Sequence, residues 1–170
     1  LYMVTFPQGA LPVVKRLQPS DIVYQLAVDS KRHLLLANTF SDSTIFWDTA
    51  ADKEIKKVDT GRTADAVMGC SEKLGKCYIA NFWAHSVTAI DAVKKQVIKT
   101  IHLDEAAHPA SVSFDEERGR VFVLTPGNYK LVVIDASTDT IVKEIQTGIV
   151  ARGESIHAVT HDIFVPNQES

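Results

Sequence analysis

Six histidines and two cysteines are the residues of this 170-residue sequence best suited to metal, acid-base or redox chemistry. His157 and His161 stand four apart, a spacing that on a helix puts two imidazoles on one face, and a zincin adds Glu directly after the first His. Residue 158 is Ala and the flanking residues read as a hairpin, so no metal site is expected there. No glycine-rich phosphate loop, Gly-x-Ser-x-Gly elbow or triad spacing is present. What remains is chemistry by single groups that the fold must bring together: imidazole binding or proton transfer at His85 and His108, and thiol pairing at Cys70 and Cys77.

The elements that position these groups repeat. Leu34-Leu35-Leu36-Ala37-Asn38 recurs as Cys77-Tyr78-Ile79-Ala80-Asn81, as Val121-Phe122-Val123-Leu124-Thr125 and as Ile163-Phe164-Val165-Pro166-Asn167, at intervals of 43, 44 and 42 residues. A second marker follows in three of the units and ends in Asp48, Asp91 and Asp135, 43 and 44 residues apart. Apolar residues alternate or run in short β-rich blocks, with no sustained helical period. Polar residues after each marker Asp suit a hairpin turn. The next block (Ile55 and Val58, Ile98 and Ile101, Val142 and Ile145) suits a half-exposed outer strand. Four short antiparallel strands every 43 residues or so, apolar on both faces, predict an all-β β-propeller of four-stranded blades. A β-sandwich leaves the internal copy unexplained.

Tyr78-Ile79-Ala80-Asn81-Phe82 through Val87-Thr88-Ala89-Ile90-Asp91 resembles the YVTN-type β-propeller repeat of bacterial YncE-like and surface-layer proteins. The third unit departs from that pattern, with Leu124-Thr125-Pro126 in place of Ala-Asn. The resemblance implies a propeller usually of seven blades and a periplasmic or cell-surface location; it implies no reaction. The expected division is the second half of a blade at 1–18, blades at 19–61, 62–104 and 105–148, and the first half of a blade at 149–170. Four blade equivalents in all suit a piece of a longer propeller, a closed four-bladed ring, or an eight-bladed ring of two chains. Leu1-Tyr2-Met3-Val4-Thr5-Phe6-Pro7 lacks an initiator Met and a basic leading segment, so no export signal is expected within it.

In such a blade the turn from second to third strand and the connection to the next blade share one face, and binding residues favour loops on a rigid scaffold. The candidates on that face are Asp21, Phe40, Asp65, Trp83, His85, His108, Tyr129 and Arg152, a lining suited to a small polar ligand or a protein partner. The same face has a structural reading, with Phe40 and Phe82 packing between blades and Asn38 and Asn81 bonding turn backbone. The repeat sets Cys70 opposite Cys77, equivalent to Ala27 opposite Leu34. Directly opposed residues lie within disulfide range, yet the apolar equivalents show that a plain pair of adjacent thiols would also serve.

Lys and Arg number 18 against 21 Asp and Glu, a net charge of −3, so general nucleic-acid binding is disfavoured. Residues 1–14 and 77–90, the longest stretches without Asp, Glu, Lys or Arg, are shorter than a spanning helix requires. The function expected is a non-catalytic binding or scaffold propeller of the bacterial cell envelope, with no cofactor and with self-association as a route to a complete ring. Two other classes compete with it. One is a lactonase-like propeller hydrolase with acid and base groups at the channel mouth. The other is single-stranded nucleic-acid binding by stacking on Trp83, Phe40 or Tyr129.

Overall fold

Short apolar runs bounded by turn residues become sixteen strands in the computed structural model, which describes residues 1–9, 11–61, 67–149, 151 and 153–167. A hairpin of β1 (Tyr2–Thr5) and β2 (Val13–Arg16) precedes three meander sheets of four strands each. The first meander holds β3 (Val23–Asp29), β4 (Leu34–Thr39), β5 (Ser43–Asp48) and β6 (Lys53–Asp59). The second holds β7 (Val67–Ser71), β8 (Lys76–Asn81), β9 (Ser86–Asp91) and β10 (Gln96–His102). The third holds β11 (Ser111–Asp115), β12 (Arg120–Thr125), β13 (Lys130–Asp135) and β14 (Thr140–Gln146), and a hairpin of β15 (Ser155–Ile156) and β16 (Ile163–Phe164) follows. The first strands β3, β7, β11 and β15 stand side by side, so the sheets fan out as propeller blades. The two terminal hairpins form separate sheets among the described residues.

Burial follows position within the blade. The second and third strands are buried almost throughout, because a blade packs on both faces, whereas the fourth strands are largely exposed. Leu34, Leu36 and Phe46 of one blade meet Met68, Cys77 and Ile79 of the next. Tyr78, Ala80 and Val87 in turn meet Val121, Val123 and Ile134. Phe122, Leu124 and Val133 meet Ile156, Ile163 and Val165 of the last hairpin, and Leu35 and Trp47 meet Leu1 and Leu17 of the first. Polar locks accompany this packing. The buried Tyr78 hydroxyl donates to Asp139, which also takes Lys76 Nζ at 2.8 Å, while Lys99 Nζ donates to the Asp139 carbonyl at 2.8 Å. Burial first, and the Asp139 bond second, hold the Tyr78 phenol protonated well above its usual range.

The turns explain the marker residues. Asp48, Asp91 and Asp135 each accept two backbone N–H bonds, from Ala50 and Ala51, from Val93 and Lys94, and from Ser137 and Thr138. These are Asx turns, and they close with Asp52, Lys95 and Asp139 in the left-handed region. Between the first and second strands Asp29, Ser71, Asp115 and His157 play one part, accepting from the backbone N–H of Arg32, Leu74, Arg118 and Thr160. His157 is therefore a turn cap. His161 fills the left-handed position held by Gly75 and Gly119 in other blades, with Nδ1 2.9 Å from Asp115 and Nε2 3.1 Å from Glu117.

Two features depart from the sequence reading. Leu34, Lys76 and Arg120 each oppose the marker Asp, so Thr39, Asn81 and Thr125 are equivalent, and the Asn38–Asn81 match is one residue out of register. The cause is a β4–β5 turn one residue shorter than those of the following blades, at 40–42 against 82–85 and 126–129. The pair equivalent to Cys70 and Cys77 is accordingly Val28 and Leu35 rather than Ala27 and Leu34. Cys70 and Cys77 do oppose each other, with Cα atoms 4.1 Å apart, and they are joined as a disulfide rather than left as adjacent thiols. The second departure lies in the outer strands. The fourth strands are the half-exposed outer strands that the sequence predicts, but Ile55, Ile98 and Val142 each fall at a register shift, a β-bulge that leaves these side chains exposed.

Candidate functional site

The face predicted to carry ligands splits into separate groups of side chains. On the first blade Asp21 takes Lys57 Nζ at 2.7 Å, the Ser41 hydroxyl and its neighbour's N–H, from Ile22, at 2.7 Å. The Lys57 ammonium, with Ser41 behind it, holds the Asp21 carboxyl well below the usual carboxylate range. Asp21 thus ties the entry of its blade to the β4–β5 turn and to the outer strand. Phe40 packs on Tyr24 with ring centres 5.1 Å apart and leaves much of its ring in solvent. Asn38 bonds Gln25 and Thr44, and Asn81 bonds Ser86 and Thr88, side-chain partners rather than turn backbone.

Between the second and third blades the structure does gather the predicted residues. Asn81 ends β8, and Phe82–Ala84 form a single 3-10 turn that His85 closes in the left-handed region at φ 48°. The His85 carbonyl then accepts from Leu103 N–H at 2.9 Å, which holds the start of the 103–110 connection against the turn. His108, also left-handed at φ 45°, brings its ring into the centre of the group. Its ring centre is 4.3 Å from His85, 4.8 Å from Phe82 and 5.9 Å from Trp83. Gly127, in the next blade's β12–β13 turn, seals the group from the other side, its N–H on the Ala107 carbonyl at 3.1 Å. A Cβ there would stand 2.0 Å from the Ala106 carbonyl oxygen and 2.7 Å from His108 Cδ2, so only glycine fits.

This group has two further properties. Trp83 is half exposed, which leaves an aromatic surface open to solvent. Among the described residues, the buried Nδ1 atoms of His85 and His108 have no hydrogen-bond partner. Buried polar atoms of native proteins are almost always paired, and leaving one unpaired costs about 1–3 kcal/mol. Tyr129 closes the turn that contains Gly127, its carbonyl accepting from Thr147 N–H and Gln146 Nε2, both at 2.8 Å. Asp65 and Arg152 lie outside the described residues. Phe82, read from the sequence as packing between blades, lies against His108 of the following connection; the close approach of Gly127 is what sequence reasoning missed, because a turn glycine does not signal its neighbours across a blade boundary.

A second buried polar group sits at the fourth blade boundary. Glu154 precedes β15 where Ile22 and Ala110 precede β3 and β11, and it accepts from the Ser111 hydroxyl. Burial pushes the Glu154 carboxyl above its usual range, and the Ser111 and Ser113 hydroxyls beside it oppose that shift. Glu154 also borders a groove of about 560 Å³ along β15 and β16, lined by Ile163, Phe164 and Pro166. Phe164 there holds the place of Phe122, Tyr78 and Leu36, which the following sheet covers in the other blades, so the groove is an uncovered blade face.

No family model and no curated protein matches the sequence. Solved structures match the fold. A functionally unknown protein from Desulfotomaculum acetoxidans superposes with a TM-score of 0.77 at 13% identity, over 98% of this chain and 55% of its own. Dihydro-heme d1 dehydrogenase NirN in complex with DHE gives 0.74 at 11% identity, over 91% and 35%, and apo AztD from Citrobacter koseri gives 0.70 at 16%, over 86% and 42%. These neighbours are β-propeller-type proteins, and this chain has the propeller fold over about half of their length or less. Among the described residues no helix is long and apolar enough to cross a membrane.

Proposed function

We propose that this chain is part of a YVTN-type binding propeller of the bacterial cell envelope, and that Phe82, Trp83, His85 and His108 form its ligand surface. The observation that carries the reading is the pair of buried, unpartnered imidazole nitrogens beside an exposed indole. The Cys70–Cys77 disulfide supports an oxidising compartment, where such bonds persist. The blade division expected from the sequence and completion of the ring by further blades, from the same protein or a second copy, belong to the same proposal. A hydrolase would need its acid and base groups at the ligand-face loops, whereas the contact of His161 with Asp115 at 2.9 Å and Glu117 at 3.1 Å lies at the opposite end of the blade, in the turns between first and second strands. Nucleic-acid stacking would need cations beside Trp83, whose ring neighbours are Phe82 and His108. The test is a thermal-shift panel of small polar organic ligands in metal-free buffer, run on the wild type and on Trp83→Ala. At least one compound should raise the melting temperature of the wild type alone; a panel that never separates the two proteins refutes the reading.

A further inference from the structure

We infer that the last hairpin is latched to the third blade by protons on His161 and Glu154, and that rising pH releases it. The hairpin is small. Strands β15 and β16 have two residues each, and Ile156, Ile163 and Val165 cover Phe122, Leu124 and Val133 of the third blade. Two polar contacts reinforce this cover, one at the β15–β16 turn and one at the start of β15.

At the turn, His161 sets Nδ1 2.9 Å from the buried Asp115 carboxylate and Nε2 3.1 Å from Glu117. A neutral imidazole has one N–H, so it serves one carboxylate and turns a lone pair toward the other; the imidazolium donates to both. The other charged groups described around the ring do not replace that proton. Glu116 borders the same cavity of about 290 Å³, and Arg118 reaches only 3.9 Å from Asp115. Within the hairpin the His157 Nδ1 accepts from Thr160 N–H, and Asp162 accepts from the Thr160 hydroxyl. Histidine as a residue type changes charge between about pH 5 and 8, so the double contact belongs to the acid end of that span. At the start of β15, Glu154 accepts from the Ser111 hydroxyl. Burial pushes its carboxyl above the usual range, and the Ser111 and Ser113 hydroxyls oppose the shift. The docked hairpin therefore holds the Glu154 proton more tightly than a free one, and docking weakens as pH rises from the usual carboxylate range through the raised value. Both contacts act in one direction. Loss of the two protons leaves a lone pair against a carboxylate at the turn and a part-buried anion at the start of β15.

The test is hydrogen–deuterium exchange of the chain at about pH 5 and about pH 8, the two ends of the histidine range. Protection is corrected for the rise of intrinsic exchange with pH and read on residues 155–164, with β8 and β9 as the internal reference. Exchanging a charged hydrogen-bond donor for a neutral one changes an equilibrium roughly tenfold, so protection of the hairpin should fall about tenfold between the two conditions while the reference strands hold theirs. His161→Asn, which tolerates the left-handed backbone, should show the lower protection already at the acid condition, with the circular-dichroism melt checking that it folds. Glu154→Gln should do the reverse and keep protection higher at the alkaline condition, an outcome that loss of folding cannot imitate. Glu117→Gln, an exposed substitution, removes the carboxylate that a neutral ring would face and should weaken the response. The double variant of His161→Asn and Glu154→Gln should show no response. Equal wild-type protection at the two conditions overturns the inference, as does a response that the double variant keeps in full.

Discussion

Gly127 offers a direct way to disturb the histidine group without touching a histidine. In Gly127→Ala the new Cβ would stand 2.0 Å from the Ala106 carbonyl oxygen, more than 1 Å inside normal contact, and 2.7 Å from His108 Cδ2. Neither the carbonyl nor the ring is the free end of a flexible side chain, so the 103–110 connection must move. Overpacking of this kind costs about 1–3 kcal/mol, and a backbone obstacle places this case near 3. For a chain of this size each kcal/mol lowers the melting temperature by about 2–4 °C, so a fall of about 6–12 °C is expected by calorimetry or circular dichroism. Gly119→Ala is the control. Gly119 has φ 62° and open space around its Cβ position, so its substitution carries only the left-handed penalty, about 1–2 kcal/mol. The variant should also shift the Trp83 emission, because His108 is an edge contact of that indole. Equal melting temperatures for the two variants, or an unchanged Trp83 spectrum in Gly127→Ala, would show that the turn yields easily and that Gly127 does not hold the group.

Three further outcomes are expected. Tyr78→Phe removes a buried hydrogen bond to a carboxylate and should cost about 1.5–3 kcal/mol in urea unfolding, and the same substitution on an Asp139→Asn background should cost clearly less. Opening the Cys70–Cys77 disulfide, by Cys70→Ala with Cys77→Ala, releases a loop closed over a sequence separation of 7 and should lower stability by about 2.5 kcal/mol, matched by wild type under reducing conditions. Glu154 has its pKa raised on folding, so the native state holds its proton more tightly than the unfolded chain, and stability declines as pH rises from the usual carboxylate range through the raised value. Glu154→Gln should therefore be more stable than wild type at neutral pH and lose that part of the pH dependence in denaturant titrations; a slope unchanged by the substitution would remove Glu154 from the account.

Strand order and blade architecture were legible because a blade cannot bury its faces alone, so each unit repeats the same apolar blocks at the same spacing. The marker aspartates were legible as turn residues, since Asp48, Asp91 and Asp135 close turns through a local bond that depends on few neighbours. Register was less legible. Asn38 and Asn81 match by letter, but a turn shortened by one residue moves Thr39 into the equivalent place. Bulges at Ile55, Ile98 and Val142 leave no mark, because an outward-turned isoleucine has the same letter as a buried one. Of the candidate residues, Trp83, His85 and His108 meet, while Asp21 and Phe40 serve their own blade. Nothing local links His85 to His108. They are 23 residues apart on successive blades, and their contact depends on two left-handed turns that histidine does not announce.

Among the described residues the first strands of successive sheets stand side by side, and this has a consequence for how the molecule opens. Units stacked in this way behave like a one-dimensional chain of coupled elements, in which stability is a sum of unit and interface contributions. The sheet of β7–β10 has a complete neighbour on each side and carries the disulfide. Its amides are expected to be among the slowest to exchange with solvent, and the 3-10 turn with Trp83 and His85, attached directly to that sheet, shares its persistence.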